Sequence, residues 1–75
     1  MNFDVELEQE TDGRWIAEIP EIPGALAYGV TPLQARARVK ALALRVLAEQ
    51  MENETAFPGI NSIAFANYYE PMAVN

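Results

Sequence analysis

The first ten residues alternate in character. Phe3, Val5 and Leu7 are apolar, while Asp4, Glu6 and Glu8 between them are acidic. A period of two predicts a strand with one buried and one solvated face. Thr11-Asp12-Gly13 is a turn signal, and a second alternating run follows it. Trp15, Ala17 and Ile19 share one parity there, and Arg14, Ile16 and Glu18 share the other. The two runs predict a hairpin whose register follows from its faces. A two-residue Asp12-Gly13 loop would set Leu7 against Glu18 and mix the apolar and polar sides, which a half-buried sheet resists. A three-residue loop, Thr11 to Gly13, sets Leu7 opposite Ala17, Val5 opposite Ile19, Glu6 opposite Glu18 and Glu10 opposite Arg14. Gly13 then takes the left-handed position of that hairpin type.

Pro20-Glu21-Ile22-Pro23-Gly24 stops the second strand, because each proline removes a ladder donor. Ala25 to Tyr28 predicts a short third strand ended by Gly29. Thr31-Pro32-Leu33-Gln34 reads as a helix start: Thr31 is the N-cap, Pro32 fits the first helical position, and Gln34 completes a capping box. The helix should run over 32–52. Ala35, Val39, Leu42, Ala43 and Val46 form its apolar stripe, with Gln34, Arg38, Arg45 and Glu52 opposite. Arg36, Lys40, Leu44, Leu47 and Met51 flank the stripe. A loop over 53–61 with a Pro58-Gly59 turn leads to a fourth strand over 62–67, where Ile63 and Phe65 alternate with polar or small residues. Residues 68–75 form an apolar-leaning tail.

The predicted fold is one α+β domain spanning 1–75, a two-layer β-β-β-α-β unit. Residues 1–30 form an antiparallel meander. The helix covers the face bearing Phe3, Val5, Leu7, Trp15, Ala17 and Ile19. The last strand reaches the sheet by a helical crossover and should lie parallel to the first.

Composition narrows the function. With 51% apolar and 21% charged residues the chain is globular. A domain of 75 residues has a small core, so disulfides, a metal or self-association are the usual supplements. There is no cysteine and no histidine. That removes disulfides, thiol nucleophiles, Cys-based zinc sites and the commonest general base. Self-association or a partner is the remaining source of stability. The net charge of -6 argues against nucleic acid as the main ligand, since phosphate needs clustered cations. No apolar run approaches the roughly 20 residues of a membrane span. The Met1-Asn2-Phe3-Asp4 start lacks signal-peptide features, so a cytoplasmic location is expected.

The distribution of acids matters more than their sum. Asp4, Glu6, Glu8, Glu10 and Glu18 all point to the sheet face away from the helix, and Glu6 faces Glu18. Like charges set opposite each other destabilise a sheet. Arg36, Arg38, Lys40 and Arg45 are all on the helix. Three readings of the acidic face compete. It is a solvated surface that keeps a small protein soluble, a docking surface for a basic protein, or a carboxylate site for Mg²⁺. The last would need acids converging in a pocket rather than spread along a face, so no metal or other cofactor is expected. Ser62, Thr11, Thr31 and Thr55 lack a histidine base, and an enzyme is not expected. The helix cations read as a solvated flank before they read as a nucleic-acid surface. Ile16 is the apolar residue on the acidic face. Tyr68, Tyr69 and Met72 are apolar with no evident core to join. Ile16 and the tail are therefore candidate contacts, the tail for a homodimer or higher oligomer.

The succession of an acidic alternating strand, Asp12-Gly13-Arg14-Trp15-Ile16-Ala17-Glu18-Ile19-Pro20-Glu21-Ile22-Pro23-Gly24, then Tyr28-Gly29-Val30-Thr31 and an alanine-rich helix resembles the HicB antitoxin family. The resemblance covers residues 3–52. It implies a truncated ribonuclease-H-like fold and a partner that is a small basic RNA-cleaving toxin of the HicA type. It implies binding and blocking rather than catalysis. The acidic face read above would do the masking, with Asp4, Glu6, Glu8 and Glu18 as the expected steering charges and Ile16 as an apolar contact. Longer members of the family add a DNA-binding extension. Too few residues follow Glu52 here for one, so no direct DNA binding is expected of this chain. The rival reading is a non-catalytic oligomeric adaptor with no toxin. A hydrolase built on the ribonuclease-H shape is a third.

Overall fold

The computed structural model describes residues 2–53 and 62–69. Their order is β1 (Asn2–Gln9), β2 (Trp15–Glu18), β3 (Leu26–Gly29), α1 (Pro32–Glu52) and β4 (Ala64–Tyr69). The four strands form one mixed sheet in the order β3-β2-β1-β4. β1 runs antiparallel to β2 and parallel to β4. The architecture is therefore α+β, with a single helix packed on one face of the sheet.

The hairpin takes the predicted register. Leu7 pairs with Ala17 and Glu6 with Glu18. The loop closes through the Glu10 N–H, which donates to the Arg14 carbonyl at 2.7 Å, and Gly13 sits at φ +94°. Faces drive this choice. Phe3, Val5, Leu7, Ala17 and Ile19 are all buried, and every even-numbered residue of β1 is exposed.

The segment between β2 and β3 is more ordered than a strand stop. The Ile22 N–H donates to the Ile19 carbonyl and the Ala25 N–H to the Ile22 carbonyl, each at 3.0 Å. These are two successive β-turns with Pro20 and Pro23 at their second positions, where a fixed φ near -65° is favourable. Gly24 follows Pro23 at φ +86°, the conformation that the third position of a type II turn requires. The Ile19 N–H donates to the Ala25 carbonyl across the base of the loop. The result drives Ile22 inward to 1% exposure. Full burial of such a side chain is worth roughly 1.5–3 kcal/mol. Ala25 is buried too, and the third strand starts at Leu26, one residue later than predicted.

The helix starts and ends as predicted. Thr31 Oγ1 accepts the Gln34 N–H at 3.0 Å. Gln34 Oε1 reaches one residue past the cap and accepts the Val30 N–H at 2.8 Å, rather than that of Thr31 as an ordinary capping box would. The stripe is rotated from the predicted one. Its buried line is Ala35, Val39, Ala43 and Leu47, spaced by four. Leu42 and Val46 are half-buried at its side, and Leu47, predicted as a flank, is a core residue. Two alanines on this line let the helix approach the sheet closely. Gly29 serves the same approach: a Cβ there would stand 2.5 Å from the Ala35 amide nitrogen.

β4 differs from its predicted range of 62–67. It spans Ala64–Tyr69 and pairs along β1 from Asn2↔Ala64 to Leu7↔Tyr69. Ile63 and Phe65 pack against the core, and the Phe3 and Phe65 rings lie 6.0 Å apart. Trp15, predicted in the core, is half-buried beside it.

Candidate docking face of the sheet

Three of the four strands carry the charged and large apolar groups of the face away from α1, and β4 adds Ala64 and Ala66 beside Asn2 and Asp4. β1 presents Asp4, Glu6 and Glu8, all exposed. β2 presents half-buried Ile16 and exposed Glu18. The pairing of Ile16 with Tyr28 and of Glu18 with Leu26 places two β3 side chains on the same face. Leu26 is 41% exposed and Tyr28 38%. One cross-strand row therefore reads Tyr28, Ile16, Glu8, and the next reads Leu26, Glu18, Glu6. Apolar groups lie toward the β3 side, and carboxylates fill the centre.

The carboxylates have no local compensation. The side chains of Asp4, Glu6, Glu8 and Glu18 make no hydrogen bond or ion pair with another described residue. Glu6 and Glu18 are directly opposed as predicted, so their charges are held together by the backbone alone. An open hollow of about 100 Å³ lies among Glu6, Leu7, Glu8, Ile16 and Glu18. Pockets that hold small ligands run to roughly 300–1,000 Å³, so this hollow is too small for one and has room for about a single side chain. Among the described residues no three acids converge to hold a metal ion.

Arg14 edges this face opposite Glu10, as the register predicts, and its side chain pairs with Asp12. Arg14 Nε donates to Asp12 Oδ2 at 2.8 Å, and the Arg14 N–H donates to Asp12 Oδ1 at 3.0 Å. The Asp12 carboxyl is held below its ordinary pKa, chiefly by that backbone N–H, with the Arg14 side chain adding to it. The same guanidinium stands 4.5 Å from the centre of the Tyr28 ring, a cation–π distance. Tyr28 is also held from behind, because Arg38 Nη1 donates to its carbonyl at 2.9 Å. That bond ties α1 to the outer edge of β3.

The structure thus brings Asp4, Glu6, Glu8, Ile16 and Glu18 together on one face. It adds Leu26 and Tyr28, which the sequence alone left without a face. Parity would have found them once the β2–β3 register was known. The proposed tail contacts separate. Tyr68 and Tyr69 belong to β4, in register with Glu6 and Leu7 of β1, because the parallel ladder continues past the predicted strand end. Met72 lies outside the described residues. None of the described helices is long and apolar enough to cross a membrane. No family model, curated protein or solved structure matches the chain.

Proposed function

We propose that the protein is an antitoxin of the HicB type, which binds a small basic RNA-cleaving toxin of the HicA type and masks it. In this reading the β-β-β-α-β unit is a truncated ribonuclease-H-like domain, and it acts in the cytoplasm by binding, not by catalysis. One observation carries the proposal: four exposed carboxylates, Asp4, Glu6, Glu8 and Glu18, with no side-chain partner among the described residues, share with Ile16 a sheet face that also exposes Leu26 and Tyr28. A toxin that binds RNA must present cations to phosphate. The acidic face complements such a surface, and Ile16, Leu26 and Tyr28 supply the apolar contacts that dry its centre. The opposed Glu6 and Glu18 support a docking role over a merely soluble surface, since solubility does not require charges set against each other at a cost to the sheet. The same acidity disfavours direct DNA binding by this chain.

The test is to look for a short basic reading frame beside the gene and, where there is one, to co-express the two, followed by pull-down and growth rescue. Glu6→Lys with Glu8→Lys should abolish rescue and slow association, because exposed charges act mainly on encounter rate and partner choice. The far-ultraviolet dichroism should be unchanged. Unaltered affinity of the double variant at low salt would overturn the proposal.

A second reading, an oligomeric adaptor without a toxin, is favoured by β4. This strand is six uncharged residues long and ends the sheet on one side among the described residues. Edges of that kind template pairing with another chain. Tyr68→Lys with Tyr69→Lys should then lower the mass seen by light scattering, and a monomeric parent protein would rule this reading out.

A further inference from the structure

The outer face of α1 carries a second apolar stripe that the core does not use. At 3.6 residues per turn, Leu33, Ala37, Leu44, Ala48 and Met51 share one side of the helix, and all five are exposed. Leu33 is 70% exposed, and Leu44 and Met51 are each 46% exposed. A helix that only closed a core would turn a polar face outward here. Arg36 and Lys40 lie along one flank of the stripe, and Arg38 and Arg45 along the other. Residues 32–48 hold these four cations and no acid. Arg38 spends one donor on the Tyr28 carbonyl, and the Lys40 ammonium stands 5.9 Å from the Phe65 ring centre.

The opposite side of the molecule is the complement of this surface in kind. The open sheet face is acidic where the helix is basic, and it too has an apolar strip, formed by Ile16, Leu26 and Tyr28. An α+β domain keeps its helices on one face of the sheet, and among the described residues no element covers the other face here. We propose that the occupant of the outer face of α1 is a second copy of this chain, docked through its acidic sheet face. The contact joins two different surfaces, so it is heterologous. Each molecule offers one helix face and one sheet face, and association continues to a ring or a chain of copies rather than stopping at a symmetric dimer. It stands whether or not a toxin exists. Where a basic partner also binds the sheet face, the two compete for it.

The test uses the full chain in sedimentation velocity and light scattering. At an ionic strength of about 50 mM the mass should rise with concentration beyond twice the single-chain 8.3 kDa. At about 500 mM it should fall back toward the single chain, because charge contacts are screened. Leu44→Glu removes the helix side, with Leu33→Glu as an independent variant at a still more exposed position. Glu6→Lys with Glu18→Lys removes the sheet side. Each variant alone should remain at single-chain mass with an unchanged dichroism spectrum. An equimolar mixture of a helix-side and the sheet-side variant should double in mass, since one intact helix face then meets one intact sheet face. A parent protein that stays at single-chain mass overturns the proposal. So does assembly that is indifferent to salt, a mixture that fails to pair, or a variant that stays assembled by itself, which is what a symmetric helix–helix or strand–strand dimer would produce.

Discussion

Glu6 and Glu18 stand directly opposite each other across the β1–β2 ladder, on the open face of the sheet. No described cation bridges them. Directly opposed like charges work against a sheet by a few tenths of a kcal/mol up to about 1 kcal/mol. Glu18→Gln should therefore stabilise the protein by roughly 0.5 kcal/mol. Urea denaturation at low salt would measure the gain, and it should shrink as salt is added. The same substitution should weaken a basic partner, which separates the interests of folding and of binding at one residue.

Gly29 is where β3 comes closest to α1. An added Cβ would sit 2.5 Å from the Ala35 amide nitrogen and 3.0 Å from its Cα. Both are backbone atoms of the first helical turn, which cannot step aside as a side chain would. Gly29→Ala should push the helix start off the sheet and cost on the order of 1–3 kcal/mol. Equilibrium unfolding would show it as a lower midpoint with an unchanged slope. Gly13→Ala meets no atom within 4 Å. Its cost should come from the left-handed backbone alone, roughly 1–2 kcal/mol.

Thr31 secures the other side of the same junction. Its hydroxyl oxygen accepts the Gln34 N–H, while the Gln34 side chain accepts the Val30 N–H. Thr31→Ala should cost about 1 kcal/mol. Thr31→Ser should cost far less, because the accepting oxygen survives. Thermal melts of the two variants side by side would distinguish loss of the cap from loss of the methyl group.

Asp12 has a pKa below its ordinary 3.8 in the folded protein. A carboxyl depressed by folding binds protons more readily in the unfolded chain. Its contribution is therefore full above about 3.8 and is lost as pH falls through the lower folded value. Asp12→Asn should remove this step, so the variant's melting temperature should fall less than the parent's between about pH 5 and pH 2. A proton titration that finds Asp12 at or above 3.8 in the native protein would contradict the geometry.

The local rules were legible in the sequence wherever one short segment decided the outcome. Alternation over Phe3 to Glu8 and over Arg14 to Ile19, with Thr11-Asp12-Gly13 between them, determined the hairpin, its register and its acidic face. A strand slipped by one residue would have buried Glu6 or exposed Leu7. Thr31-Pro32 and the residues after it determined where the helix begins, because caps act within a single turn. The double turn at Ile19 to Ala25 was half legible. Its prolines were visible as a strand stop, but not the inward swing of Ile22, which depends on a core waiting for it.

Tertiary structure decided the rest. The helix stripe could be centred on Leu42 and Val46 or on Val39 and Leu47, since both lie within a fraction of a turn. Contact with Gly29 and the β1–β2 face selected the second. Pairing along β1, not its own pattern, carries β4 past Asn67, so Tyr68 and Tyr69 became strand residues. Leu26 and Tyr28 joined the acidic face because the β2–β3 register put them beside Glu18 and Ile16. The sequence by itself therefore determined which faces exist and what charge they carry. Only the fold determined which residues of separate segments share them, because that depends on pairing between strands and not on the period within one.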